Sequence, residues 1–127
     1  VAALFAAFAS VEIVQVDDLQ SLDWDRLPRD GRATVLASNQ RARYGENARR
    51  WRPQLHLALW NPFQVLDVPA PALVSWGFAP GALRAVRAWL EGRAAAPGHA
   101  PVPLAPPGPT SPVSSAGTRP QRAVKKR

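Results

Sequence analysis

Short apolar runs, each closed by a turn former and each separated from the next by a stretch too long for a hairpin, recur along this 127-residue chain and decide which sheet it can build. Residues 33–38, 54–60 and 72–76 are of this kind. A tight turn joins antiparallel strands, whereas parallel neighbours need a crossover of about a dozen residues. The spacing therefore predicts parallel strands, and their continuous apolar character predicts cover on both faces. In 54–60 the alternation is explicit: Leu55, Leu57 and Leu59 share one face, His56, Ala58 and Trp60 the other. Residues 11–16 alternate too, with Val11, Ile13 and Gln15 opposite Glu12, Val14 and Val16, and read as a first strand closed by Asp17 and Asp18.

The connections carry the helices. Residues 2–9 are rich in Ala, Leu and Phe, without a breaker, and read as the last turns of a helix. Residues 19–27 space Leu19, Leu22, Trp24 and Leu27 among polar side chains, as a short helix or wrapped connection ended by Pro28 and the Asp30-Gly31 turn. Residues 39–52 are helix-compatible, with Ala42, Ala48 and Trp51 inward and Pro53 as the stop. Gly45 weakens that helix by about 1 kcal/mol relative to alanine. Beyond Gly77, Pro80 suits a first helical turn, Leu83, Val86 and Leu90 recur at helical spacing, and Gly92 falls where a helix ends. The alternation predicts an α/β fold, a mostly parallel sheet flanked by helices in a Rossmann- or flavodoxin-like layer arrangement.

A chain of this size holds one domain. Residues 1–104 are expected to fold, and the Pro-rich basic tail, 105–127, to stay disordered, because it cannot bury enough apolar surface to offset its ordering entropy. Five of the sixteen basic residues (Arg119, Arg122, Lys125, Lys126 and Arg127) lie in that tail, so the net charge of +7 is weak support for nucleic acid as a partner. The absence of cysteine excludes disulfides, thiolate metal sites and thiol nucleophiles. No apolar run approaches the ~20 residues of a membrane-spanning helix, and no membrane partner is expected. The opening Val1-Ala2-Ala3-Leu4-Phe5 lacks an initiator methionine, as expected of a processed protein or, preferably, an N-terminally truncated fragment. Ala7-Phe8-Ala9 is similar to a signal-peptide cleavage site, but no basic segment precedes it. The compartment stays open.

Catalytic groups are scarce. Glycoside hydrolysis needs two carboxyl groups across the scissile bond, and the local candidates are Asp17 with Asp18 and Asp23 with Asp25. Acidic residues in such places are more often turn formers, and that reading is preferred. His56, inside an apolar strand, reads as a core histidine, and His99 lies in a Gly/Pro loop, so no metal site is expected. Neither Ser38 nor Ser75 has the context of a nucleophile elbow. Residues 77–81 follow a strand and open a helix but lack dinucleotide-binding spacing, so no cofactor is expected. The N–H groups of that helix start could still receive an anion or a sugar hydroxyl. Trp51, Trp60 and Trp76 are candidates for a sugar-stacking platform, with core packing or domain docking as the plainer roles. Trp60 and Trp76 both end strands and should share one edge of the sheet.

From Leu55 onward the order of elements carries a resemblance. An apolar strand to Trp60 is followed by the Asn61-Pro62-Phe63 break, the short run from Ala72 to Gly77, the helix from Ala82 to Gly92, and Gly98-His99-Ala100-Pro101-Val102-Pro103-Leu104. This succession resembles the C-terminal domain of family 3 glycoside hydrolases, especially bacterial β-N-acetylhexosaminidases. Ser75-Trp76-Gly77 stands where that family more usually has a Tyr-Gly type of ending. The resemblance implies that the nucleophile and acid-base residues belong to an N-terminal catalytic barrel, which needs roughly 250 residues and has no room here. No catalytic residue is transferred, and this fragment alone is expected to be inactive. Trp60, Asn61, Trp76 and Gly77 are the candidates for a domain interface or for carbohydrate held at it. A second reading is a freestanding interaction module whose basic tail meets an acidic partner or nucleic acid.

Overall fold

The computed structural model describes residues 1–104, so the expectation of a disordered 105–127 tail lies outside the described residues. Its centre is a three-stranded parallel sheet in the order β1 (Val35–Ser38), β2 (Leu55–Ala58), β3 (Ala72–Val74). The register sets Leu36 beside His56 and Ala37 beside Leu57, then His56 beside Ala72 and Leu57 beside Leu73. This is a small α/β domain with one long helix, α1 (Pro80–Leu90), against the sheet.

The period-2 pattern sorts the two faces. Leu57 and Leu59, fully buried, join Val35, Ala37, Leu55 and Leu73 on the face covered by α1, which contributes Leu83, Val86 and Leu90; Leu4 and Phe5 complete that layer. The opposite face carries Leu36, Tyr44, Ala48, Trp51 and Val68, with Leu19, Leu22 and Trp24 drawn in from the long connection before β1. Both crossovers between strands therefore lie on the face away from α1.

α1 begins with Pro80 in its first turn and closes with Gly92 at φ 72°. The Gly92 N–H donates to the Trp89 carbonyl at 2.9 Å and the Arg93 N–H to the Ala88 carbonyl at 2.8 Å, the paired bonds of a Schellman cap. A Cβ at Gly92 would meet nothing within 4 Å, so the cost of replacing it is purely that of the backbone. Gly92→Ala is expected to lower stability by about 1 kcal/mol, readable as a lower urea midpoint at unchanged slope.

Three expected elements are corrected. Residues 11–16 form no strand: Val11, Ile13 and Val14 stay exposed, and the segment is tied down by the Glu12–Arg32 ion pair and by Val16 against the core. Apolar residues on both faces need cover on both, and the fold supplies it only at Val16. Residues 39–52 form no long helix, only a 3-10 turn at Glu46–Arg50. The reason is competition for the backbone. Gln64 Nε2 donates to the carbonyls of Gln40 (3.0 Å) and Ala42 (2.7 Å), Asn61 Nδ2 donates to that of Arg41 (2.8 Å), and the Tyr44 N–H donates to the Asp67 carboxylate (3.1 Å). Those carbonyls are the ones an α-helix would use, and Gly45 at φ 82° turns the chain out of the helical region. The N-terminal helix shrinks to a 3-10 turn at Ala2–Phe5. By contrast, residues 19–27 are a wrapped connection of two short turns, Leu19–Ser21 and Trp24–Arg26, capped by the carboxylates of Asp18 and Asp23.

Candidate functional site

Parallel strands all point their carboxyl ends at one edge; open α/β sheets bind ligands there where the strand order reverses, and the order β1-β2-β3 has no such reversal. Trp60 follows β2 and Trp76 follows β3, so the sheet does place both at this edge. Asn61 acts locally: its side-chain carbonyl accepts the Phe63 N–H at 3.0 Å, capping the turn Pro62–Leu66, while its amide holds the Arg41 carbonyl. Trp60 packs on Phe78, ring centroids 5.2 Å apart and inclined at 60°, and the Arg41 guanidinium lies 5.9 Å from the Trp60 ring centre. Trp60, Phe63, Trp76 and Phe78 remain 44, 43, 48 and 40% exposed.

Trp76 has φ 56°, the left-handed region that large side chains avoid. Two contacts hold it there. The Ser75 N–H extends the ladder to the Ala58 carbonyl at 3.2 Å, and the Ser75 hydroxyl donates to the Gly77 carbonyl at 2.6 Å. A side chain at Gly77 would meet nothing within 4 Å.

Behind the edge, on the face away from α1, lies a closed polar network. Gln64, fully buried, uses both amide hydrogens on backbone carbonyls, so its Oε1 must take a proton from the Tyr44 hydroxyl 3.0 Å away. Tyr44 Oη then accepts from His56 Nε2 at 2.9 Å, which leaves His56 Nδ1 as the unprotonated nitrogen, buried and without a partner. Burial pushes the Tyr44 hydroxyl well above its ordinary range and pushes His56 down to about 4, the nearby Asp67 carboxylate opposing the latter in part. Asp67 also pairs with Arg43, whose guanidinium it holds more firmly charged. A tyrosine that resists ionisation and a histidine that resists protonation, both sealed from solvent, make a structural network rather than an acid-base site. His56 is thus the core histidine its sequence position suggests. Gln64 was not singled out from the sequence, although a lone amide side chain between apolar Phe63 and Val65 was a usable signal.

Of the four candidate carboxylates, Asp18, Asp23 and Asp25 are committed to local structure. Asp18 and Asp23 cap turns, Asp23 pairs with Arg26, and Asp25 pairs with Arg29. Asp23 and Asp25 do line an open surface groove of about 380 Å³ with Trp24, Asn47, Arg50 and Trp51. Trp51 does not join a platform with Trp60 and Trp76: it is buried, stacked on Trp24 at 6.0 Å and tilted against Tyr44 at 5.4 Å. Those aromatic contacts claim its ring for the core. Among the described residues no three His, Cys, Asp or Glu side chains gather to hold a metal, and no helix is long and apolar enough to cross a membrane. Compared with protein-family models, with curated proteins and with solved structures, the chain finds no match in any of the three.

Proposed function

We propose that this chain is a non-catalytic accessory module held against a second domain by the carboxyl edge of its sheet. The observation that carries this reading is that four large aromatic residues in the segments following β2 and β3 stay exposed: Trp60, packed on Phe78, together with Phe63 and Trp76. Large apolar side chains left exposed near one another favour a docking role. Behind that edge Tyr44 and His56 are sealed in the interior and Asp67 is paired with Arg43, which argues against chemistry of its own.

The resemblance between Leu55 and Leu104 supplies the partner: the N-terminal catalytic barrel of a family 3 glycoside hydrolase of the β-N-acetylhexosaminidase kind, in the same polypeptide. On this reading the sheet and α1 belong to a Rossmann- or flavodoxin-like layer fold, and a carbohydrate reaching the interface would meet Trp60, Asn61 and the Trp76-Gly77 turn. Hydrolysis of chromogenic β-N-acetylglucosaminide and β-glucoside should then occur with the chain joined to its upstream coding region and not with the 127 residues alone. Turnover by the short chain, or none by either, overturns the assignment. A salt-sensitive complex with an acidic partner, lost when the residues after Thr118 are deleted, would favour the basic tail as the working part instead.

A further inference from the structure

We infer that Trp76 is the anchor of this edge, a tryptophan presented by a strained left-handed turn to fill an apolar pocket with an acidic rim on the partner domain. The inference rests on the accessory-module reading and adds the residue and the chemistry that would seat it.

Three observations converge. A bulky residue at φ 56° is a backbone outlier, and such conformations persist only where the surroundings hold them and cluster where a ligand or partner is received. Here the ladder bond of the Ser75 N–H and the Ser75 hydroxyl bond to Gly77 fix the turn on both sides. The ring so presented has no aromatic or cationic partner among the described residues and is 48% exposed, whereas Trp60 packs on Phe78 and lies under Arg41. Tryptophan is also the side chain most often found at the energetic centre of protein interfaces, in a desolvated pocket ringed by weaker contacts. The charge of the rim follows from Arg41, which lies against the Trp60 ring and has no carboxylate within 4.0 Å among the described residues. An acidic group on the partner would meet it.

The test separates strain from docking. In the isolated chain, Trp76→Asn and Trp76→Ala both remove the ring, but only asparagine tolerates the left-handed region, so the Asn variant should melt about 4 °C above the Ala variant. Equal melting, or the reverse order, removes the strain and with it the inference. Docking is read by cysteine alkylation, since the sequence has no cysteine to interfere. Gly77→Cys reports the Trp76 turn in open space with the ring intact, and Phe63→Cys reports another part of the edge. In the polypeptide carrying its upstream region both thiols should react several-fold more slowly than in the short chain. Adding Trp76→Ala should release that protection, weakening docking by about 30-fold. Protection of the Phe63→Cys thiol with a fully reactive Gly77→Cys thiol, or protection that survives Trp76→Ala, refutes the anchor and leaves the docked edge standing. Full reactivity at both positions refutes the accessory-module reading together with the anchor.

Discussion

Trp51→Ala is expected to destabilise the chain by about 4 kcal/mol, which for a domain this small removes most of its stability. Trp51 is 1% exposed and spans the face of the sheet that α1 does not cover. That face has no long helix to close it. Its roof is made of short turns at Leu19–Ser21, Trp24–Arg26 and Glu46–Arg50, and the indole is the largest side chain filling the space beneath them. Truncation loses the stacking on Trp24 and the contact with Tyr44, and it opens a cavity beside the Tyr44–Gln64 hydrogen bond into which water can reach. Turns held by a few hydrogen bonds cannot collapse on the gap as a helix might slide. Urea unfolding of Trp51→Ala should show the midpoint falling to near zero denaturant. The matched exposed substitution, Trp60→Ala, should cost no more than about 1 kcal/mol. A Trp51→Ala midpoint close to that of the parent chain would mean that the roof is not packed as described.

The contrast between those two tryptophans also marks what could be read from the sequence. Residues 54–60 disclosed their own faces, because a strand's alternation is local and the burial of Leu57 and Leu59 on one side with His56 and Ala58 on the other follows from it directly. α1 was equally legible, with its proline start, helical spacing of Leu83, Val86 and Leu90, and glycine stop all within one element. The missing helix at 39–52 was not. Its backbone is claimed by Asn61, Gln64 and Asp67, side chains about twenty residues away, and no window on 39–52 contains them. Residues 11–16 fail for a related reason: local alternation proposes a strand, but only the rest of the fold can supply a neighbour to pair with and a second face to cover. At the edge, the sequence placed Trp60 and Trp76 together because both follow strands of a parallel sheet. Trp51 reads as an inward residue of 39–52 with a sugar-stacking platform as the lesser alternative, and its burial agrees with the inward reading although the helix meant to carry it does not form. The left-handed conformation of Trp76 had no sequence signal at all, since glycine, the usual marker, stands one position later.

His56 should make this domain acid-labile as pH falls below neutrality. In the fold its pKa is depressed to about 4 from an unfolded value of 6.5, chiefly because burial penalises the imidazolium. The geometry explains the size of that penalty. Nε2 already donates to Tyr44, so the added proton must go on Nδ1, where no acceptor and no solvent is in reach. The unfolded chain therefore binds more protons than the folded one between those two values. Stability is fully present above the unfolded pKa, is lost as pH falls from about 6.5 toward 4, and levels off below the folded value. Two and a half pH units at about 1.4 kcal/mol each give a loss of about 3 kcal/mol across the window. Urea midpoints taken from pH 7.5 to 4.5 should fall steadily, while the slope of the transition stays constant. His56→Leu removes the titrating group and leaves Tyr44 donating to Gln64, so its midpoint should be nearly flat over the same range. Tyr44→Phe acts in the other direction: it leaves Gln64 Oε1 and His56 Nε2 both without their partner in the interior, at a cost of about 2–4 kcal/mol at neutral pH. A parent chain whose stability is unchanged between pH 7 and 5 would show that His56 reaches water or an acceptor in the folded state, and the closed network would have to be abandoned.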